Sequence, residues 1–106
     1  MRIRKLLLCE DESWDRLNLP PIIESCWQDM FGEQMKVHGC SDIVDDERPP
    51  EPCLSLNSVG QYDALLLDVW WGTPSDGVAH GVKIAEIVRH RYPELPILVL
   101  SRHVRV

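Results

Sequence analysis

The chain has no apolar run near the roughly 18–20 residues that a membrane-spanning helix requires. It has no surplus of basic side chains either: 11 Lys and Arg stand against 17 Asp and Glu, a formal net charge of -6. Direct nucleic-acid binding and docking on anionic membranes both draw on Lys and Arg, so neither is expected. The start, Met-Arg-Ile-Arg-Lys-Leu-Leu-Leu-Cys-Glu, lacks the longer apolar stretch and small-residue cleavage site of a signal peptide. Cys9, Cys26, Cys40 and Cys53 show neither C-x-x-C nor zinc-finger spacing. They read as reduced thiols of a cytoplasmic protein, with Cys9 a small core residue. His38, His80, His90 and His103 have no paired metal spacing, and the chain has no internal repeat. What is present is 106 residues, 44% apolar and 26% charged, enough for one domain over residues 1–106 with a buried core.

Three short apolar runs stop abruptly at polar residues. Lys5-Leu6-Leu7-Leu8-Cys9 meets Glu10, Asp11 and Glu12; Ala64-Leu65-Leu66-Leu67 meets Asp68; Pro96-Ile97-Leu98-Val99-Leu100 meets Ser101. Such runs suit strands of a parallel sheet covered on both faces. Between the last two, Val78, Val82, Ala85, Val88 and Tyr92 recur at helical steps, with Ile84 and Ile87 widening the face. This pattern predicts a helix over Val78 to Tyr92, ended by Pro93. Met35 to Gly39 is a further, weaker strand. A first helix is expected over Pro21 to Phe31, because Pro20-Pro21 suits a helix start and not its middle, which leaves Ser13 to Leu19 as a loop or turn. Ser41 to Gly60, rich in proline and acid, reads as a long loop with a helix only near Leu54 to Val59.

Alternating strands and helices imply an α/β fold, an open parallel sheet with right-handed crossovers and helices on both faces. Ligands bind such sheets outside the carboxyl ends of the strands. Glu10, Asp11, Asp68 and Ser101 are all expected there. Clustered carboxylates repel unless protonated or bridged by a cation, and a hard ion such as Mg²⁺ suits oxygen ligands. A carboxylate in such a site can also act as a nucleophile and form an aspartyl phosphate.

These residues resemble the receiver domain of two-component response regulators. The likeness rests on Leu7-Leu8-Cys9-Glu10-Asp11-Glu12, on Tyr62-Asp63-Ala64-Leu65-Leu66-Leu67-Asp68, on Asp76-Gly77 with Gly81 and Ile84, on Val88-Arg89, and on Pro93 through Ser101. It implies a flavodoxin-like sheet of order 2-1-3-4, with the family's fifth strand missing. It also implies a signalling domain that accepts a phosphoryl group on Asp68 from a histidine kinase or a small phosphodonor. Glu10, Asp11, Asp68 and the backbone carbonyl of Trp70 would hold Mg²⁺, and Ser101 would be the switch hydroxyl. No enzymatic activity is implied beyond self-catalysed phosphorylation and dephosphorylation.

The chain departs from the family in several places. No lysine follows Ser101, Arg102 stands where a small residue is usual, and Gly72-Thr73-Pro74-Ser75 is inserted beside Trp70-Trp71. The domain is expected to be incomplete at its C-terminus, leaving Pro96 to Leu100 as an apolar sheet edge that a second copy or another partner would cover. These departures keep a second reading open: a pseudo-receiver that binds or dimerises without phosphotransfer. An aspartate-nucleophile phosphatase of the haloacid dehalogenase type fits less well, because Trp70 stands where a second Asp is usual.

Overall fold

The computed structural model describes residues 2–71 and 76–103, with side chains at 2–68 and 80–100. The elements in chain order are β1 (Lys5–Cys9), α1 (Ser13–Phe31), β2 (Lys36–Cys40), β3 (Ile43–Val44), β4 (Leu54–Ser55), a 3₁₀ helix (Leu56–Gln61), β5 (Ala64–Trp71), α2 (Asp76–Arg91) and β6 (Ile97–His103). β1, β2, β5 and β6 form a parallel sheet in the order β2-β1-β5-β6. This is the expected α/β architecture, and β6 stands at the expected edge. Among the described residues no helix is long and apolar enough to cross a membrane.

Strand alternation divides the core into two layers. On one face Leu7, Cys9, Leu65 and Leu67 pack with Ile84 and Val88 of α2 and with Ile43, Leu56 and Val59. On the other, Leu6, Ala64 and Met35 pack with Ile23 and Trp27 of α1. Of the expected helical stripe, Ala85, Val88 and Tyr92 face the core together with Ile84. Ile84 and Val88 are buried beside Gly81, while Val82 is exposed.

The first helix corrects an expectation. α1 begins at Ser13, not at Pro21, and both prolines lie inside it. Neither can donate to the carbonyl four residues back, so Arg16 and Leu17 lose their helical donors. The helix continues because each half is anchored separately. Arg16 donates through its backbone to the Glu12 carbonyl (3.0 Å) and through its guanidinium to the Glu10 and Asp11 carbonyls (3.0 and 3.1 Å). In the second half, Glu24 Oε2 accepts from the Val37 N–H at 2.8 Å, and Ile23 and Trp27 enter the core. Gly32 ends the helix in the left-handed region (φ 66°), its N–H donating to Gln28.

Ser41 to Gly60 is also more ordered than its composition suggests. Ile43–Val44 pairs in parallel with Leu54–Ser55, and the 3₁₀ helix follows directly. The Tyr92 hydroxyl donates to the carbonyls of Leu56 (2.8 Å) and Asn57 (3.2 Å), tying this segment to the end of α2. His80 meets Asp42 at 2.8 Å, a second tie.

β5 and β6 run further than the apolar runs alone imply. β5 continues through Trp71 and β6 through His103, so Asp68 and Ser101 lie within strands and not past their ends. The 72–75 insertion lies outside the described residues.

Candidate functional site

Glu10 follows the last residue of β1, and Cys9 is in register with Leu67, which brings Glu10 level with Asp68. Leu6, Leu8 and Glu10 alternate onto one face of the sheet, as do Ala64, Leu66 and Asp68. That face is the one α1 covers, and the first turn of α1 carries Asp15. A carboxylate so near a helix N-terminus is favoured by the helix dipole. Carboxylate oxygens of Glu10, Asp15 and Asp68 all lie within 4.8 Å of one another, and all three residues are buried.

Three carboxylates this close, out of water, cannot all carry charge without a cation or a proton among them. The strain falls on Glu10. Burial pushes its carboxyl up to about 9, helped by a hydrogen bond with Asp68, by the charge of Asp68 and by the Asp11 carboxyl. The Glu12 N–H, which donates to Glu10 Oε1 at 2.9 Å, works in the opposite direction. That bond also fixes the turn between β1 and α1. Arg16, next to Asp15 in sequence, directs its guanidinium at the Glu10 and Asp11 backbone carbonyls.

The donor set fits a hard divalent cation. All three ligands are carboxylate oxygens, with no thiol or imidazole among them, which suits Mg²⁺ over Zn²⁺ or copper. Glu10 and Asp68 come together as the sequence suggests. Asp11 is exposed and reaches Glu10 from outside, while Asp15 completes the buried group. Sequence reasoning missed Asp15 because it placed Ser13 to Leu19 in a loop. With a helix starting at Ser13, Asp15 is third in its first turn, a position that points back toward the end of β1.

Ser101 lies in β6 in register with Val69, and Trp70 lies in β5 in register with Arg102. The side chains of Trp70, Ser101 and Arg102 lie outside the described ones. Leu100 is level with Asp68 on the neighbouring strand. Compared with protein-family models, curated proteins and solved structures, the chain matches none of them.

Proposed function

We propose that the chain is a receiver-like signalling domain that accepts a phosphoryl group on Asp68 with Mg²⁺ bound beside it. The observation that carries this reading is the meeting of Glu10, Asp15 and Asp68 carboxylates within 4.8 Å at one end of a parallel sheet. Mg²⁺ held there would neutralise charge on the incoming phosphoryl oxygens. An Asp68 carboxylate oxygen attacks phosphorus; the bond from phosphorus to the donor breaks, and the donor leaves with the electron pair. With a phosphohistidine donor the leaving group is imidazole, and with acetyl phosphate it is acetate. Glu10 and Asp15 hold the cation, Arg16 and the Glu12 N–H hold the turn that carries Glu10, and Ser101 is the proposed switch hydroxyl. The proposed setting is the cytoplasm.

Intact mass after incubation with Mg²⁺ and acetyl phosphate tests the reading. One phosphoryl adduct is expected, absent in Asp68→Asn. A folded wild-type protein that gains no adduct would overturn it.

The exposed β6 edge favours a second reading, a pseudo-receiver used for binding. Leu98, Val99 and Leu100 are 55%, 59% and 45% exposed on a strand that, among the described residues, is paired along one side. An apolar unpaired edge is a template for another strand. Light scattering that shows a dimer lost in Leu98→Lys, together with no phosphoryl adduct, would favour this reading over the first.

A further inference from the structure

The opposite end of the sheet carries a different chemistry. Lys5 and Lys36 begin β1 and β2 and are direct register partners. Like charges facing each other across neighbouring strands destabilise a sheet. Neither lysine is in an ion pair among the described residues, where the pairs are Arg2–Glu33 and His80–Asp42. The two lysines line a cavity of about 290 Å³ with Val37, His38, Gln61 and Tyr62. No acid lines it, although the chain carries a net charge of -6. Asp63, next to Tyr62, turns its Oδ2 to the backbone N–H groups of Arg4 and Lys5 at 2.8 and 3.0 Å, and Glu24 Oε2 accepts from the Val37 N–H at 2.8 Å.

The other walls are suited to a polar ligand. The His38 and Tyr62 rings stack with centroids 6.0 Å apart and planes 27° apart, forming one side. Burial and the neighbouring Cys40 push the Tyr62 hydroxyl up, so it stays a donor. The Gln61 side-chain amide supplies further N–H groups. The cavity lies at the lower bound of the roughly 300–1,000 Å³ typical of small-molecule sites. The length of β1 separates it from the acid cluster, roughly 16 Å at about 3.3 Å per residue.

We infer that the cavity between Lys5 and Lys36 binds the phosphate group of a small phosphomonoester. Two ammonium groups match the charge of about -1.5 to -2 that such a group carries at neutral pH, and lysine is a common phosphate ligand. The bound anion relieves the repulsion built into the Lys5–Lys36 pair. The remaining space beside Val37 and Tyr62 receives the organic part of the ligand.

The test is an amide-resolved NMR titration of the full chain in EDTA at constant ionic strength. Inorganic phosphate and glycerol 3-phosphate serve as ligands, and acetate is the control. Saturable shifts concentrated at Lys5, Lys36, His38, Gln61 and Tyr62 are expected with both phosphates, and none with acetate. Lys36→Gln is expected to weaken both phosphates at least tenfold while melting no lower than wild type without ligand. Unchanged affinity in Lys36→Gln, acetate binding as tight as phosphate, or non-saturating shifts spread over Lys83 and Arg89 would each overturn the inference.

Discussion

Arg16 of α1 lies against Gly39 of β2 so closely that a Cβ on the glycine would stand 2.9 Å from the Arg16 carbonyl oxygen and 2.8 Å from its Cγ. The carbonyl is the one whose helical donor is removed by Pro20. The missing side chain at Gly39 and the missing N–H at Pro20 thus meet at one point, and the first half of α1 rests on β2 there. The same half carries Asp15.

Gly39→Ala therefore tests this contact. The Arg16 backbone must move to admit a methyl group, and overpacking of this kind costs about 1–3 kcal/mol. Chemical denaturation should show a loss in that range. Gly32→Ala, where nothing lies within 4 Å and only φ 66° is strained, should cost about 1–2 kcal/mol. Mg²⁺ binding should weaken in the first variant and not in the second, because only the first displaces the turn that carries Asp15.

Asp15 and Asp11 should separate cleanly in metal binding. Wild-type protein is expected to melt higher as Mg²⁺ is added, because a ligand bound only by the folded state stabilises it. Asp15→Asn removes a buried carboxylate from the cluster and should weaken Mg²⁺ about tenfold or more, equivalent to about 1.4 kcal/mol. Asp11→Asn acts on an exposed group and should change affinity by less than about threefold. Tryptophan fluorescence against Mg²⁺ concentration reads both, and equal losses would contradict the buried placement of Asp15.

Without metal, Glu10 gives stability a pH dependence of definite sign. Its carboxyl titrates near 4.5 ordinarily and is pushed up to about 9 by burial and by Asp68. Between these values the folded chain binds more proton than the unfolded chain, so stability falls as pH rises. Melting in EDTA should therefore drop steadily from about pH 4.5 toward about pH 9, beyond any general loss. Glu10→Gln should flatten that slope, and saturating Mg²⁺ should do the same.

Tyr92→Phe removes only the hydroxyl that reaches the Leu56 and Asn57 carbonyls. The ring remains against the core, so the loss should be about 0.5–1.5 kcal/mol. Hydrogen exchange should rise chiefly across Leu56 to Gln61, the segment this hydroxyl fastens.

The strands were written locally. Runs such as Leu6-Leu7-Leu8 and Leu65-Leu66-Leu67 are apolar on both alternating sides, as a doubly covered parallel strand or a buried helix segment can be. The helical pattern between runs decides for strands. The alternation of strand and helix points to a parallel sheet, while the strand order is only what the receiver resemblance implies. Glu10 and Asp68 stand out because ligands bind such sheets at the carboxyl ends of their strands. α1 was not written locally. Trp14, Leu17, Ile22, Met30 and Phe31 are exposed along it, so its apolar residues mark no single face, and two prolines argue against it. Tertiary contacts, Glu24 with Val37, Arg16 with Gly39, and Ile23 and Trp27 with the core, help hold it as one helix. Asp15 joined the acid cluster for the same reason. A sequence states which residues are acidic, but the distance between Asp15 and Asp68 is set by how a helix lies on a sheet. The Lys5–Lys36 pair is likewise a product of register, since nothing in the chain between them announces that they face each other.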